Sequence, residues 1–458
     1  MSAPQPSAAI VIGAGPVGLA TALLLAGAGH RVTVYEGRSE IPTEQTNSYP
    51  IGVNARGQEA FRRIDPALHD RLVRAGAVIE GWRIHAGQRR VAELESGTVL
   101  AATRGEVNDL LLEAAREQEA ITLITGHRLT AVSIATRQLI FETPSGRATV
   151  EAADARVIAA DGVRSVARTA MTEQVPGFAP EVSEWGVRFR VLFSQAGATA
   201  PGMDPYWHYI FGDKGVYSAT LHDQVWTVAT TARTGSADEE LLLAAEATEE
   251  NLRRLQDYVR AAAAPTAPLL TRDDYVAYFS RDSFSGAVVR CPFLHVEEWL
   301  VLIGDAAHSV LPPTGEGLNS GLEDSYLLVE HLLSGSATPF ADYNAHRMPD
   351  LTALGEYAWT LMENIKSTDP ARRTTNLILR IAGTLGQKVG LKGNQVEQRL
   401  FGPDSGLTPY REIFADWIVE RNRVYPRLFG LVRGGYALAE RLRRHRAPTD
   451  AWPSRCGS

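Results

Sequence analysis

The stretch AAIVIGAGPVGLATALLLAGAGHRVTVYE, residues 8–36, decides how the rest of the chain is interpreted. An apolar run, a glycine turn, a long apolar segment and a second apolar run follow one another, which predicts a strand, a helix and a second strand. Within the turn, Gly13, Gly15 and Gly18 have the spacing G-x-G-x-x-G where the helix would begin. This arrangement is typical of a Rossmann-type dinucleotide site, with the pyrophosphate at the helix N-terminus.

The residues of this βαβ segment have separate predicted tasks. One glycine permits the tight turn, one lets the backbone approach the pyrophosphate, and one allows the helix to pack closely on the strand. Glu36 ends the second strand, where its carboxylate can accept hydrogen bonds from ribose hydroxyls. The motif alone does not distinguish NAD from FAD, and a glycine-rich packing turn without a nucleotide is the alternative.

The composition is that of an ordinary globular protein. The 458 residues, 45% of them hydrophobic, suffice for two or three domains. A net charge of -7 and the lack of a basic block before the C-terminus argue against nucleic acid as the main partner. The two cysteines have no metal-ligand spacing and predict no metal site. Without a secretory signal or a membrane-spanning apolar run, we expect a cytoplasmic protein with no membrane partner.

Two later motifs bear on the choice between NAD and FAD. They are ADGVRSVAR at 160–168 and GDAAHSVLPPTGEGLNSG at 304–321. Together with the glycine turn they resemble the FAD-dependent aromatic hydroxylases, the p-hydroxybenzoate hydroxylase-like flavoprotein monooxygenases. Within that group the chain is most similar to kynurenine 3-monooxygenase-like enzymes, as in SYPIGVNARG at 48–57 and TRGEVNDLLLEAA at 103–115. The resemblance implies FAD as the bound cofactor and NADPH or NADH as a transient reductant.

The same resemblance implies the domain organisation. We expect an α/β fold in which a Rossmann-type FAD-binding domain carries an inserted antiparallel β-sheet substrate domain and C-terminal helices. Alternating apolar residues, as in WGVRFRVLF at 185–193, independently predict strands with one buried side in the inserted part. The expected boundaries are 1–72, 98–174 and 290–340 for the FAD-binding domain, 73–97 and 175–289 for the sheet domain, and 341–458 for the helical region.

Carried over to this chain, the resemblance predicts a set of FAD-binding residues at turns, strand ends and helix starts. These residues are Gly13, Gly15, Pro16, Val17, Gly18, Glu36, Gly37, Arg38, Arg104, Asp161, Gly162, Asp305, Pro312, Gly315, Gly317, Leu318 and Asn319. Asp305 has the position of the ribityl-binding aspartate, and Arg104 would reach the phosphate and ribityl region. Asp161 and Gly162 would touch both the flavin and the route of the nicotinamide.

The segment around Gly317 also has a physical explanation. Reduced flavin carries negative charge at its N1–C2=O edge, and free N–H groups at a helix N-terminus would stabilise that charge. We therefore predict catalytic roles for Gly317, through close backbone approach, and for Pro313, as a rigid wall beside the ring. His308 is expected to have a structural role.

Substrate binding is predicted for the sheet segment. The candidate residues are Arg83, Tyr206, His208, Tyr217 and Trp226, each of which would also suit an ordinary sheet core. Arg83 lies where kynurenine hydroxylases place a carboxylate-binding arginine, although a shift of one residue would place Trp82 there. Ala358 stands where those enzymes carry a substrate-binding asparagine. These departures favour an aromatic compound less polar than kynurenine.

The resemblance implies that the chain hydroxylates an aromatic small molecule. NAD(P)H would reduce FAD, and the C4a-hydroperoxyflavin formed with O2 would transfer one oxygen to a kynurenine-like compound or a biosynthetic aromatic intermediate. Two alternatives stay open: an FAD-dependent reductase or dehydrogenase of an isoprenoid or polyketide, and a flavin-containing protein that only binds a ligand. We expect a monomer or a homodimer.

Overall fold

The computed structural model describes residues 8–41, 48–87, 89–212, 215–376, 378–379, 396–402 and 406–445. The chain forms two compact units, one of residues 1–362 and 397–413 and one of residues 363–396 and 414–458. The strands are β1 Ala9–Ile12, β2 Val32–Tyr35, β3 Pro50–Val53, β4 Ala77–Ala86, β5 Arg89–Thr103, β6 Ile121–Ile124, β7 Arg128–Ser133, β8 Gln138–Thr143, β9 Gly146–Glu151, β10 Arg156–Ala159, β11 Glu181–Glu184, β12 Val187–Phe193, β13 Trp207–Phe211, β14 Val216–Thr220, β15 Trp226–Arg233, β16 Ala287–Arg290, β17 His295–Val296 and β18 Leu300–Leu302.

The first unit also contains most of the helices. They are α1 Pro16–Gly27, α2 Ala55–Ile64, α3 Pro66–Ala75, α4 Arg104–Arg116, α5 Val166–Gln174, α6 Ala237–Leu243, α7 Glu249–Ala263, α8 Arg272–Tyr278, α9 Asp305–His308, α10 Gly317–Leu333, α11 Pro339–Lys366, α12 Val396–Phe401 and α13 Tyr410–Ile413, the last residues of α11 and the first of α12 belonging to the second unit. The second unit continues with helices Ala415–Val419 and Tyr425–His445, joined by a π-helical turn at Glu420–Val424. Across the described ranges, no helix is both long and apolar enough to cross a membrane.

A sheet of five parallel strands, with β17 added antiparallel at the edge beside β18, surrounds the glycine turn. Its strand order is β17-β18-β10-β1-β2-β6, and β1 pairs in parallel with both β2 and β10. All four residues of β1 are buried, as expected of a strand with both faces covered. The βαβ unit predicted from residues 8–36 is therefore confirmed as β1, α1 and β2.

A seven-stranded sheet follows the order β12-β15-β14-β13-β4-β5-β3. Its neighbours pair antiparallel, except that β13 and β4 run parallel. The predicted, largely antiparallel sheet is thus confirmed. Its edge strand β3 comes from the part of the chain assigned to the FAD-binding domain, and the predicted domain boundaries stay predictions.

The two faces of the seven-stranded sheet have different partners. The helix-covered face, which carries Tyr209, Phe211 and Trp226, packs against apolar residues of α6, α7 and α8. The opposite face, called here the inner face, carries Trp82, His208 and Tyr217, whose rings contact one another. Successive residues of a strand alternate between these faces, so a residue's parity decides its surroundings.

Candidate active site

The glycine turn needs glycine for measurable reasons. Gly13 has a φ of +100°, and a Cβ there would lie 2.5 Å from the Ala160 carbonyl oxygen. A Cβ at Gly18 would overlap the Gly13 carbonyl oxygen, so this glycine permits the contact of helix on strand. Pro16 is the first residue of α1, where its missing N–H leaves no intrahelical hydrogen bond unmade.

Glu36 lies beside the same turn. Its Oε2 accepts a hydrogen bond from the Ala14 N–H at 2.9 Å, and its Oε1 accepts one from the Arg38 N–H at 3.0 Å. Gly37 and Arg38 line an open cleft together with Arg128. The predicted nucleotide-binding residues Glu36, Gly37 and Arg38 are therefore brought together at the end of β2.

Val17 joins the glycine turn to the later glycine motif. A Cβ at Gly304 would lie 3.2 Å from the Val17 methyl groups, and one at Gly321 would lie 2.6 Å from Val17 Cγ2. The Ser325 hydroxyl donates to the Val17 carbonyl oxygen at 3.1 Å. Two glycines thus allow the starts of α1 and α10 to approach closely.

Arg104 and Asp305 come from distant motifs and face the same region. A capping box of Thr103 and Glu106 fixes the start of α4 at Arg104. A Cβ at Gly15 would lie 3.9 Å from Arg104 Nη2. Asp305 is exposed to solvent. The surrounding protein raises its pKa by desolvation, although the positive charge of Arg104 acts in the opposite direction.

Asp161 has one oxygen in use and one free. Its Oδ2 accepts hydrogen bonds from the Val166 N–H at 2.8 Å and the Ala167 N–H at 3.2 Å, at the start of α5. Its Oδ1 is buried and has no hydrogen-bond partner in the described part of the chain. Gly162 follows with a φ of +78°. Arg168 donates to the Ala306 carbonyl oxygen at 2.8 Å, which connects this motif to α9.

The start of α10 is uncapped. Gly317 is its first residue, and no side chain accepts a hydrogen bond from its N-terminal N–H groups within the described residues. Gly315 has a φ of +68° and closes the turn formed by Pro312, Pro313 and Thr314. N–H groups at a helix start that lack side-chain acceptors can receive a negatively charged group.

Asn319 fixes this helix start. Its Oδ1 accepts from the Asn54 N–H at 3.0 Å, and its amide nitrogen donates to the Gly52 carbonyl oxygen at 2.8 Å. Leu318, the second residue of α10, is partly buried against the apolar core. The predicted roles of Leu318 and Asn319 are backbone roles, and the Asn319 side chain holds that backbone against β3 and α2.

A buried charge network, formed by Arg56, His308, Glu323, Asp324 and Arg347, holds α10 from its other side. Arg347 pairs with Asp324 at 2.8 Å and with Glu323 at 2.7 Å, and Arg56 pairs with Glu323 at 2.6 Å. His308 Nε2 contacts the Asp324 carboxylate. Burial opposes the charge on Asp324, yet His308 and Arg347 lower its pKa to about 2. Apart from His308, sequence reasoning missed these residues, because no motif marks their pairing.

Glu316 precedes α10 and is fully buried. Its carboxylate accepts hydrogen bonds from the Asn54 amide at 3.0 Å and the Tyr410 hydroxyl at 2.5 Å. Burial raises its pKa, and the positive charge of Arg56 only partly offsets this. This carboxyl was also missed from the sequence, because its partners lie 262 and 94 positions away.

The inner face of the sheet presents an aromatic surface to this helix start. The Tyr217 hydroxyl lies 2.5 Å from His208 Nδ1, and the Trp82 ring centroid lies 6.4 Å from that of His208. The Phe401 ring lies 5.0 Å from Trp82. A Cβ at Gly315 would be 2.9 Å from the same phenyl ring. Phe401, which no motif predicted, therefore connects the inner face to the turn before α10.

Three predicted substrate residues lie elsewhere. Arg83 lies on the helix-covered face, where it pairs with Glu93 at 2.8 Å and donates to the Tyr209 hydroxyl at 3.0 Å. Trp226 is 1% exposed within the core of that face, and Tyr206 is 55% exposed. Of the predicted set, the structure brings only His208 and Tyr217 together on the inner face. The substrate roles of Arg83, Tyr206 and Trp226 gain no support from this placement and stay predictions.

The residues present fit FAD. The glycine turn permits close backbone approach, one Asp161 oxygen has no partner among the described residues, and the uncapped start of α10 offers N–H donors. No group of acidic, histidine or cysteine side chains in the described ranges has the arrangement of a metal site.

Comparison with known proteins decides the family. The model of the FAD binding domain family matches residues 7–349. The chain belongs to this FAD-binding family. Kynurenine 3-monooxygenase from Neurospora crassa is 25% identical over 391 residues, covering 76% of each chain. The enzyme of the same name from Myxococcus xanthus is 26% identical over 381 residues, covering 78% of each chain.

Solved structures show the same fold at lower identity. The p-nitrophenol 4-monooxygenase PnpA from Pseudomonas putida DLL-E4 has a TM-score of 0.64 and 20% identity, with 81% of this chain and 91% of that chain covered. A tetrameric form of 2-methyl-3-hydroxypyridine-5-carboxylic acid oxygenase has a TM-score of 0.64 and 15% identity, with 80% and 95% covered.

These findings confirm the class of enzyme expected from the sequence. The protein is an FAD-dependent monooxygenase of the aromatic hydroxylase class, with NAD(P)H as the reductant. The α/β fold with a Rossmann-type FAD-binding part is likewise confirmed. The alternative of a reductase, dehydrogenase or non-catalytic ligand-binding protein is not favoured.

Proposed function

We propose that this monooxygenase hydroxylates an aromatic small molecule held between the inner face of the sheet and the start of α10. The observation that carries the proposal is the position of Phe401, whose ring contacts Trp82 on one side and adjoins Gly315 on the other. An aromatic ring in the space beside Phe401 would meet further aromatic rings and the flavin-binding helix start together. Aromatic side chains favour such partners through offset or edge-to-face contacts.

FAD supplies the hydride acceptor and the site of oxygen activation, so the protein has to bind, orient and shield. We assign the pyrophosphate to the turn at Gly13, Gly15 and Gly18, and the ribityl chain to Asp305. The N–H groups at Gly317 and the following residues would stabilise negative charge on the ring edge of the bound flavin, and Pro312 and Pro313 would limit the position of the ring. The charge network and Asn319 keep the helix start in place.

The aromatic side chains around the inner face also exclude water from the active site. Water that enters before oxygen transfer diverts the reaction toward hydrogen peroxide, so the pocket has to stay dry. Phe401, Trp82 and the rings of Tyr49, Phe189 and Phe284 supply that wall. The last three have ring centroids 4.8–5.6 Å apart, and Tyr49 meets both phenyl rings edge-on. These residues contribute by excluding water rather than by reacting.

The substrate is either kynurenine-like or a less polar aromatic intermediate of a biosynthetic reaction. The relatives named above act on kynurenine, but Arg83 does not lie on the inner face and Ala358 carries no polar group. We therefore favour the less polar compound.

A substrate screen tests the proposal. FAD-loaded protein is mixed with NADPH or NADH and a panel of aromatic acids, phenols and amino-aromatics under isotopically labelled O2. We expect one group of aromatics to accelerate NAD(P)H oxidation and to yield a product that carries one labelled oxygen. If no aromatic accelerates the oxidation, or if only hydrogen peroxide forms with every compound, the proposed function is wrong.

Assembly and location complete the proposal. We propose a monomer or homodimer that acts in the cytoplasm. Light scattering of the FAD-loaded protein measures the oligomeric state, and a tetramer in solution would contradict the proposed monomer or homodimer. Fractionation of cells that make the protein tests the proposed cytoplasmic location.

A further inference from the structure

His208 is buried and only partly engaged. Its side chain is 2% exposed, and its Nδ1 lies 2.5 Å from the Tyr217 hydroxyl. Its Nε2 is buried without a hydrogen-bond partner among the residues described. The Thr220 backbone also acts on the imidazole as a hydrogen-bond partner, which opposes the effect of burial on its pKa. A buried polar atom without a partner is unfavourable unless a ligand or water supplies one.

The neighbouring rings determine which nitrogen of His208 carries the proton. The Trp82 indole N–H acts on the Tyr217 hydroxyl as a hydrogen-bond donor, and an indole can only donate. The Tyr217 hydroxyl has no other acceptor among the described residues, so its proton is directed to His208 Nδ1, which accepts it. A neutral imidazole that accepts at Nδ1 carries its proton at Nε2.

The imidazole is also neutral. Burial lowers the pKa of His208 to about 3, so it carries no charge near neutral pH. Burial raises the pKa of Tyr217, which keeps the hydroxyl protonated. The chain from Trp82 through Tyr217 to His208 thus ends at Nε2–H, a donor for which the described residues supply no hydrogen bond of normal geometry.

The two rows of side chains beside this donor carry no charge of their own, and the Arg281 guanidinium lies 4.5 Å from the ring centroid of Phe193 in one of them. Cross-strand partners share a face, so the registers place two rows of side chains beside His208. They are Phe193, Thr227, Ala219 and Trp82 in one row and Val191, Ala229, Tyr217, Ile210 and Ile84 in the other. A carboxylate buried there would lack a cationic partner in these rows, which is strongly unfavourable.

We propose that His208 is a specificity-determining residue whose Nε2–H binds an acceptor oxygen on an uncharged aromatic substrate. The chemical class is a neutral aromatic ring that carries a carbonyl or comparable oxygen acceptor. This inference rests on the proposed function, since the ligand is taken to be the compound that is hydroxylated. Tyr217 and Trp82 are positioning residues, because they act through His208.

Binding of three matched probes tests the proposal. The FAD-loaded protein is titrated with acetophenone, ethylbenzene and benzoate, and binding is followed by the change in flavin fluorescence. We expect acetophenone to bind most tightly. His208→Phe keeps a ring but removes the donor, so acetophenone should bind about 10-fold more weakly and ethylbenzene equally well. The proposal is wrong if His208→Phe weakens acetophenone and ethylbenzene binding equally. It is also wrong if the unaltered protein binds benzoate most tightly.

A second measurement does not depend on ligand binding. Nitrogen NMR of histidine-labelled, FAD-loaded protein should show one imidazole in the neutral form with its proton at Nε2, unchanged between about pH 5 and 9. This imidazole signal should disappear in His208→Gln. Because the glutamine amide is an N–H donor, His208→Gln should also bind acetophenone more tightly than His208→Phe does. In Tyr217→Phe the proton should no longer be confined to Nε2. A His208 signal that titrates in this range, or that carries its proton at Nδ1, contradicts the inference.

Failure of the proposed function would look different. If no aromatic compound acquires oxygen while the probe selectivity and the His208 signal are as expected, the recognition site stands and the reaction assignment falls. If oxygen transfer occurs but His208→Phe leaves the probe selectivity unchanged, only the role of His208 is wrong.

Discussion

The FAD side of the active site and the inner face of the sheet are built in different ways. The FAD side consists of turns and helix starts whose residues are close in sequence, such as Gly13 to Gly18 and Gly315 to Asn319. The inner face collects Trp82, His208, Tyr217 and Phe401 from separate strands and from a helix near the end of the first unit. A cofactor shared across a family can be bound by short motifs, whereas a pocket for one substrate depends on which strand faces meet.

The two regions also handle charge differently. Behind α10, three carboxylates and two arginines are buried and paired or hydrogen-bonded. The central rows of the inner face carry polar groups but no charged ones. Paired charges fix a helix in one place, while an uncharged face suits the transfer of oxygen to an uncharged ring.

The largest effect is expected when the charge network loses its central cation. Arg347→Met leaves Glu323 and Asp324 buried without their main partner, which should lower the free energy of unfolding by about 3–5 kcal/mol. Urea unfolding measures the loss. Arg62→Met, at a side chain that is 44% exposed, is the matched control and should change the stability by about 1 kcal/mol or less. Similar losses in both variants would show that the network does not hold α10.

The second largest effect is expected on FAD affinity, when the Asp305 carboxylate is removed. Asp305→Ala removes the proposed ribityl partner, a charged hydrogen-bond acceptor, so FAD should bind about 10- to 100-fold more weakly. Fluorescence of released FAD at equilibrium measures this. Asp154→Ala, at an exposed loop carboxylate, serves as the control. An Asp305→Ala protein that retains FAD as well as the control does would contradict the ribityl assignment.

A smaller, pH-dependent effect is expected at Glu316. Because burial raises its pKa, the folded chain holds its proton longer than the unfolded chain does. As the pH rises above the ordinary glutamate value of about 4.3, the wild type should lose stability relative to Glu316→Gln, until the pH passes the folded pKa. Urea unfolding at several pH values tests this, with Glu250→Gln at an exposed helix position as the control. A stability difference that does not change with pH would indicate a normal pKa.

The smallest effect on ligand selectivity is expected at Arg83. Since its guanidinium is held by Glu93 and Tyr209 on the helix-covered face, Arg83→Met should leave the ratio of benzoate to acetophenone affinity unchanged. The probe titration described for His208 provides the measurement. A selective loss of benzoate binding would support the carboxylate-binding role predicted from the sequence and would remove the contrast between the two faces.

Much of the fold followed from local patterns. The βαβ unit and the alternating strand at 187–193 are confirmed because each depends on residues within a few positions of one another.

What the sequence by itself determined is the cofactor and the class of chemistry, because glycine spacing and helix starts bind a dinucleotide through backbone atoms that local sequence positions. The tertiary structure decided which side chains meet the substrate. Successive side chains of a strand point to opposite faces of the sheet, so only the strand pairing could place Trp82 on the inner face and Arg83 on the helix-covered face. Phe401 and Glu316 acquire their partners across long chain separations, which no local pattern records.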